Sequence, residues 1–399
     1  MARPENLEEY RRSRVTIRDI ADLAGVSIAT VSRVVNGRGD VAPETREHVT
    51  RVIRERGYTT NRGARGLSAG RTGLVGVLVP LVFPAYFSAI LSGAAEALAE
   101  HDLEIVLSPT GGEHDREVSV LDRLHGVTDG ALIILPEESS SELVRVLDSG
   151  YRFVVLDPLM PLDERIPSVS AAHASGADQA MRHLLDLGHR RIAQITGPRG
   201  WVATEDRRRG YHAALAAAGI LPDPALEVEA IPEIEPGRKA TEVLLDLPEP
   251  PTAIFAFNDN IAIGALQAAR ARGLAVPEDL SVVGFDDVEH ATIVTPTLTT
   301  VRQPLAEMGR MAVSILIRLL ERQRFETLRV ELATRLVVRD STAPTVSSRR
   351  LTPRAEPAYA RGSWLNGESD QGGTRSGRPP SGESASPADP ASGTDTSEV

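Results

Sequence analysis

The stretch VTIRDIADLAGVSIATVSRVVNG, residues 15–37, decides the architecture of the amino-terminal part of the chain. Its first half places apolar residues at helical spacing, namely Ile17, Ile20, Ala21 and Ala24. Thr16 can cap the amino end of this helix, and Gly25 permits the positive φ of a tight turn. Ser27 then begins a second helix that ends at Asn36. The pattern predicts two short helices joined by a glycine turn, which is a helix-turn-helix.

The second predicted helix has an apolar stripe and a polar face. Val31, Val34 and Val35 form the stripe, and the residues left facing outward are Ile28, Ala29, Ser32, Arg33 and Asn36. A third helix follows in APETREHVTRVIRERGY, with Pro43 in its first turn and Gly57 as its stop. Short polar side chains and an arginine on an exposed helix suit contacts with phosphates and base edges in a major groove. The alternative is an ordinary three-helix subdomain.

Charge and composition narrow the class of protein. The chain has 399 residues and a net charge of −11, yet residues 14–71 hold eleven arginines against six acids, which favours a nucleic-acid-binding segment on an acidic body. There are no cysteines, and no metal-binding motif occurs, so no metal site or other cofactor is expected. The apolar runs are too short for a membrane span, and the first twenty residues lack a signal-peptide apolar region. These features predict a cytoplasmic protein with no membrane partner.

From Leu74 the pattern changes to apolar strands alternating with amphipathic helices. The strand candidates are residues 74–80, 103–109, 130–136, 152–158, 191–197, 252–259 and 280–287. Such alternation predicts a parallel α/β sheet with helices on both faces. Several of these strands end in aspartate, asparagine, glycine or proline. Because ligands bind at the carboxyl ends of parallel strands, we expect a ligand cleft there.

Three segments carry a family resemblance: the opening stretch, VAPETREHV, and RGYTTNRGARGLSAGRTGLVGVLVP. Over about residues 15–340 the chain closely resembles the lactose-repressor (LacI/GalR) family of bacterial transcription regulators. The resemblance implies an all-α helix-turn-helix DNA-binding domain and a two-lobed parallel α/β body similar to periplasmic sugar-binding proteins. It implies these boundaries: a flexible extension at 1–14, the DNA-binding domain at 15–59, a hinge helix at 60–71, an effector-binding and dimerisation body at 72–342, and a disordered tail at 343–399.

The resemblance also divides the body into lobes. Lobe 1 would comprise about residues 72–170 and 303–329, and lobe 2 about residues 171–302 and 330–342. The implied crossovers lie near residues 168–172 and 298–304, and the last strand, VELATRLVVRDS, would return to the second lobe.

Roles on DNA follow from the same resemblance. The positions that hold phosphates are Thr16, Ser27, Thr30, Ser32 and Asn36, and those that read bases are Ile28, Ala29 and Arg33. The hinge contributes Asn61, Ala64 and Leu67, and Leu67 would wedge between the central base pairs. The hinge departs from the family because Thr60 replaces a proline and Gly63 and Gly66 interrupt the helix. We therefore expect the hinge to become ordered only on DNA.

The effector-binding positions implied by the resemblance are Tyr86, Phe87, Asp157, Arg207, Asn258, Asp286 and Leu305. A guanidinium beside carboxylates and an amide suits a polyhydroxylated ligand. The polar strand-end residues could instead cap helices, and Tyr86 and Phe87 could be core residues. Where many relatives have aspartate-asparagine, this chain has Ala172-His173. We expect His173 to be an exposed loop histidine, with a ligand contact as the alternative.

The implied function is a homodimeric repressor of carbohydrate uptake or catabolism genes, and not an enzyme. It would bind a palindromic double-stranded DNA operator with a central CG step and release it when a small sugar binds. An alternative keeps the scaffold but uses a purine- or nucleoside-like corepressor, stacked on Tyr86 and Phe87. A sugar-binding receptor or an α/β enzyme is a third reading. The missing signal peptide and catalytic dyad oppose it, and it leaves residues 15–71 unexplained.

Overall fold

A computed structural model of the protein describes residues 15–35, 39–58, 71–82, 85–323 and 329–345. The amino-terminal helices are α1 (Ile17–Ala24), α2 (Ile28–Val35) and α3 (Pro43–Glu55). Their small core consists of Ile20, Ala21, Ala24, Val31, Val34, Val49 and Val52. Each helix contributes one apolar stripe to this core. Each fully buried Ile or Val in it stabilises the fold by about 1.5–3 kcal/mol, and this burial holds the three helices together.

The turn between α1 and α2 forms where the sequence predicts it. Gly25 has φ 63° and ends α1 with its amide bonded to the carbonyls of Ala21 and Asp22. At the other end of α1, the Thr16 side chain accepts from the Asp19 amide at 3.3 Å, and the Asp19 carboxylate accepts from the Thr16 amide at 2.7 Å. This reciprocal capping box fixes where α1 begins.

The body contains two six-stranded sheets. The strands are β1 (Leu74–Val79), β2 (Glu104–Pro109), β3 (Gly130–Ile134), β4 (Phe153–Leu156), β5 (Ser168–Ala171), β6 (Ile192–Thr196), β7 (Glu227–Glu229), β8 (Ala253–Ala256), β9 (Ser281–Asp286), β10 (Thr299–Arg302), β11 (Arg329–Leu332) and β12 (Arg335–Val337). The first sheet has the order β11-β5-β4-β3-β1-β2 and the second β12-β10-β9-β8-β6-β7. All pairs in the described chain are parallel except β10 with β12.

Helices cover these sheets, as parallel strands require. They are α4 (Ala85–Ala99), α5 (His114–His125), α6 (Ser140–Asp148), α7 (His173–Asp186), α8 (Val202–Ala217), α9 (Ile234–Leu245), α10 (Asp259–Ala271), α11 (His290–Ile293) and α12 (Leu305–Leu320). We call the first sheet with α4–α6 and α12 lobe 1, and the second sheet with α7–α11 lobe 2. No helix in the described ranges is long and apolar enough to cross a membrane.

The chain passes between the lobes in three short segments, after β5, after β10 and after β11. The last of these differs from the predicted boundary. Residues 330–332 belong to β11, which pairs with β5 of the first sheet, whereas the prediction assigned them to lobe 2. The apolar run at the end of the body is thus two strands, since residues 333–334 turn the chain from one sheet edge to the other.

Close helix packing in lobe 1 depends on two glycines. A Cβ at Gly93 of α4 would lie 1.9 Å from the Ala306 carbonyl oxygen, and a Cβ at Gly309 of α12 would lie 2.2 Å from that of Ile90. Both distances are shorter than any van der Waals contact, so only glycine lets α4 and α12 approach this closely. The contact holds α4 close to α12, and the first turn of α4 contains two of the predicted effector residues, Tyr86 and Phe87.

Candidate functional site

The outer face of α2 presents the residues predicted to read DNA. Ser27, Ala29 and Arg33 are exposed, and Ile28 is 43% exposed although it is apolar. Arg33 lies 3.3 Å from Asp40, but both side chains are at least half exposed, so this ion pair constrains Arg33 weakly. Ser27 bonds to the Thr30 hydroxyl at 2.9 Å and accepts from the Thr30 amide at 3.1 Å. The face therefore combines an apolar tip, short hydroxyls and one cation.

The second candidate site lies at the carboxyl ends of two central strands. Asp157 follows β4 and Asp286 ends β9, and both side chains are buried. Their φ angles are 50° and 114°, in a region that non-glycine residues rarely adopt. Such backbone conformations are retained where the surrounding structure requires the side chain in one place. The surrounding structure therefore fixes the positions of the two carboxylates.

Asp157 connects the two lobes. Its carboxylate accepts from the Tyr86 hydroxyl at 2.6 Å and from Nε2 of His173 at 2.7 Å. Tyr86 lies in the first turn of α4 in lobe 1, whereas His173 is the first residue of α7 in lobe 2. His173 is only 2% exposed. A single carboxylate thus joins one hydrogen-bond donor from each lobe.

Arg207 extends the network into lobe 2. Its Nη2 lies 3.2 Å from His173 Nδ1 and 3.8 Å from an Asp286 oxygen, while Nη1 donates to the Phe257 carbonyl. The guanidinium carbon lies 4.2 Å from the centre of the Phe257 ring and 3.8 Å from that of Phe285. Stacking on two rings orients the planar cation as well as stabilising it.

Gly210 brings Arg207 to His173. It lies one helical turn beyond Arg207 in α8, and a Cβ there would be 2.3 Å from the Ala174 carbonyl oxygen in α7. Because no side chain fits in that contact, α8 can close onto the start of α7. The resulting approach places the guanidinium beside the imidazole.

The pKa values of Asp286 and Asp157 shift in opposite directions. Burial raises the pKa of Asp286 to about 6, although Arg207 and a hydrogen bond from Gln303 at 2.6 Å work against the rise. Burial also acts to raise the pKa of Asp157, but its interactions with His173, Tyr86 and Arg207 outweigh that and lower it. Burial and the Asp157 charge raise the pKa of Tyr86 well above its ordinary value, so Tyr86 stays a donor.

Four buried polar atoms of lobe 2 and the second crossover have no hydrogen-bond partner in the described chain: Gln194 Oε1 in β6, Thr204 Oγ1, Arg207 Nε and Gln303 Oε1. The last three belong to residues that are part of, or adjoin, the network around Arg207. Thr204 and Phe257 adjoin, since a Cβ at Gly197 would lie 2.8 Å from both. The three atoms offer a hydroxyl, a donor and an acceptor. Because an unpaired buried polar group costs about 1–3 kcal/mol, these atoms indicate a ligand with hydroxyl groups.

Comparison with known proteins decides the family. Residues 16–61 match the model of bacterial regulatory proteins of the lacI family, and residues 181–342 match that of a periplasmic binding protein-like domain. The transcriptional regulator CelR of Thermobifida fusca is 38% identical over 340 residues, covering 83% of this chain and 99% of that protein. The chain belongs to the lacI family.

Solved structures of lacI-family members agree with the fold. The lac repressor dimer bound to operator and the anti-inducer ONPF is 29% identical, covers 83% of this chain and 99% of that chain, and has a TM-score of 0.75. A CelR–cellobiose complex is 35% identical, covers 82% of this chain and 100% of that chain, and has a TM-score of 0.64. The predicted family and fold class are confirmed, and the protein is a DNA-binding transcriptional regulator.

Four of the predicted effector residues of this lacI-family member come together: Tyr86, Asp157, Arg207 and Asp286. The other three have structural roles in the described chain. Asn258 caps α10, since its Oδ1 accepts from the Ile261 amide at 2.9 Å. Phe87 packs in the lobe 1 core with its ring edge-on to Tyr86 at 5.3 Å, and Leu305 joins the same core. With Phe87 buried, the two aromatic residues do not form the pair of free ring faces that a nucleobase would need.

The expectation for His173 was wrong. We expected an exposed loop histidine, but the first turn of α7 buries it between Asp157 and Arg207. Phe257, Phe285 and Gln303 were also not anticipated. Phe257 and Phe285 each directly precede a polar residue at a strand end, and this position could have marked them as neighbours of the site. Gln303 carries no such signal, because its contact with Asp286 depends on how the second crossover folds.

Some predicted DNA contacts fall outside the described ranges. They are Asn36, Asn61, Ala64 and Leu67, together with the hinge glycines Gly63 and Gly66. Within the described ranges no group of three or more histidine, aspartate or glutamate side chains could hold a metal ion.

Proposed function

We propose that this lacI-family protein is a homodimeric repressor of carbohydrate uptake or catabolism genes, and that a small sugar in the interlobe cleft lowers its affinity for its operator. The observation that carries the proposal is the continuous network from Tyr86 and Asp157 in lobe 1 to His173, Arg207 and Asp286 in lobe 2. A ligand that inserts into this network contacts both lobes at once. It therefore favours one lobe arrangement over another, which is the requirement for linkage.

The chemistry of the cleft supports a carbohydrate. The cleft brings together carboxylates, a guanidinium, an amide and a hydroxyl, and Thr204 Oγ1, Arg207 Nε and Gln303 Oε1 lack partners in the described chain. Sugars present hydroxyl groups that both donate and accept, so they can pair with donors and acceptors of these kinds. A regulator named CelR has been solved in complex with cellobiose. That similarity supports a sugar without naming which one.

On DNA we propose that Ile28, Ala29 and Arg33 read base edges in the major groove. The short hydroxyl side chains of the same face, Ser27, Thr30 and Ser32, together with Thr16, would contact phosphates. Two such units on a twofold dimer read a palindrome. We further propose a central CG step, wedged open by Leu67. Footprinting on operators with and without that step tests this, and equal affinity for the two would contradict it.

The sugar-release proposal is tested by titrating operator-bound full-length protein with a panel of sugars while following fluorescence anisotropy. We expect one sugar to release the operator with a coupling of about 1–3 kcal/mol, a 5- to 150-fold loss of affinity. The Arg207→Ala protein should not respond. Arg209→Ala is the matched control, because Arg209 lies on the same helix, its side chain is 68% exposed, and its ion-pair partner in the described chain is Asp206. Equal responses from both variants would remove Arg207 from the site.

A further inference from the structure

The hydrogen bonds of His173 determine its charge. Arg207 can only donate, so its approach to His173 Nδ1 at 3.2 Å requires that nitrogen to accept. Nε2 then carries the proton and donates to Asp157 at 2.7 Å. An imidazole that accepts at one nitrogen and donates at the other is neutral.

The network that joins Tyr86, Asp157, His173, Arg207 and Asp286 therefore contains one cation and two carboxylates. Arg207 is the cation, and Asp157 and Asp286 are both buried within its network. Two further carboxylates adjoin it: Asp259, which is bonded to Thr300 and the Val288 amide, and Asp287, which is paired with Arg302 and Arg339. The other groups of this network are uncharged: the Tyr86 hydroxyl, the neutral His173 ring, the Gln303 amide and the Thr204 hydroxyl. With its carboxylates ionised, this network carries a net negative charge, which disfavours the entry of an anion.

Both terminal nitrogens of Arg207 already have partners in the network. Nη1 of Arg207 donates to the Phe257 carbonyl, and Nη2 faces His173 Nδ1 and Asp286. In the described chain Nε of that guanidinium has no partner, and the hydrogen bonds of Nη1 and Nη2 use one N–H of each. Phosphates and carboxylates are recognised by paired, parallel N–H donors, and an anion that used Nη2 in such a pair would compete there with His173 and with the Asp286 carboxylate. One donor, one acceptor and one hydroxyl instead match hydroxyl groups.

We propose that the effector is an uncharged polyol, that sugar phosphates and sugar acids are excluded, and that His173 sets this selectivity by occupying Arg207. The inference rests on the proposed sugar effector and adds its charge class. His173 acts here as a specificity-determining residue, since it removes an arginine donor from ligands that would otherwise use it.

Isothermal titration of the full-length protein with matched pairs tests the charge class. Suitable pairs are glucose with glucose 6-phosphate, ribose with ribose 5-phosphate, and cellobiose with cellobionate. We expect the neutral member to bind at least about tenfold more tightly in any pair that binds. The preference should shrink by about tenfold or more in His173→Ala and in Asp286→Asn, because the first frees Nη2 and the second removes a negative charge. A phosphorylated or acidic member that binds wild type as tightly as its neutral parent would overturn the proposal.

Two further measurements separate this proposal from the broader one. His183→Ala is the matched control, because His183 lies on the same helix but bonds to Thr342 at 2.9 Å. This variant should prefer the neutral member of each pair as strongly as wild type does. If no sugar binds, the proposed sugar effector fails, and inorganic phosphate then decides the charge inference by thermal shift. No stabilisation of wild type with a gain in His173→Ala supports it. Stabilisation of wild type that disappears in Arg207→Gln overturns it.

Discussion

The α2 face and the interlobe cleft place their polar groups in opposite environments. On α2 the polar side chains are exposed and their partners lie within a few residues, as with Ser27 and Thr30. In the cleft the groups are buried, or half-buried in the case of Tyr86, and come from distant segments: Tyr86 and Asp157 are 71 positions apart in the sequence, and His173 and Arg207 are 34 positions apart. We therefore expect the polar side chains of α2 to make their contacts mainly with a partner molecule. Contacts in the cleft also hold the protein together.

The largest expected effect is that of Arg207→Ala on stability. Removing the guanidinium leaves Asp157 and Asp286 buried without their compensating charge, which typically costs about 3–5 kcal/mol. Denaturant unfolding of the full-length protein, followed by circular dichroism, measures this loss. Arg209→Ala should change stability by less than about 1 kcal/mol, because its ion pair is exposed. If the two variants lost the same free energy of unfolding, the Arg207 network would not stabilise the fold more than an exposed ion pair does. The proposed difference between the cleft and the α2 face would then be wrong.

A second pair of buried acids can test whether a buried carboxyl group in a lobe must belong to the effector site. Glu117 of α5 and Glu138 of the loop before α6 are 1% and 2% exposed and lie in lobe 1. Burial and the neighbouring Glu138 raise the pKa of Glu117 from 4.5 to about 9. Because the folded pKa is raised, the stability that Glu117 contributes is complete below pH 4.5 and is lost as pH rises toward 9.

We therefore expect Glu117→Gln to stabilise the protein at pH 8, by about 1–3 kcal/mol, and to flatten the dependence of stability on pH between 5 and 9. Thermal melts across that range measure both. Asp122→Asn removes an exposed carboxyl from the same helix and serves as the control. A sugar response that survives Glu117→Gln would show that a buried acid in a lobe need not belong to the cleft. Destabilisation at pH 8 would show that the charged form is the one the fold uses.

At the DNA-reading face, Arg33→Ala should leave the fold intact and change recognition. Its ion pair with Asp40 is exposed, so stability should change by less than about 0.5 kcal/mol. Loss of a base-edge contact costs about 1–3 kcal/mol of discrimination between the specific operator and random DNA. Competition binding at fixed salt measures the ratio. An equal loss on both DNAs would make Arg33 a phosphate contact instead.

This difference in sequence separation also explains what the sequence could predict. Helix spacing and Gly25 were enough to predict α1 and α2, because their determinants are local. The seven predicted strands of the body are present for the same reason. The strands β5 and β10–β12 are three or four residues long and lie at the crossovers, so their pairing depends on distant partners. The cleft shows the same limit: Asp157 and Asp286 stand at recognisable strand ends, but the burial of His173 depends on α8 closing at Gly210.

The smallest expected effect concerns Thr16, which combines a fold role with a proposed phosphate contact. Thr16 and Asp19 form the capping box of α1, so Thr16→Ala should cost about 0.5–2 kcal/mol of stability, and Thr16→Ser should restore most of it. A phosphate contact adds a second signature. Affinity should fall equally on operator and random DNA, with no change in its salt dependence, because threonine carries no charge. Melts and salt titrations of both variants measure the two effects separately. If stability falls while DNA affinity is unchanged, Thr16 acts only as a helix cap. If stability is unchanged, the capping role is contradicted. Either result would assign Thr16 to the fold or to DNA recognition, as the Arg33→Ala measurements do for Arg33.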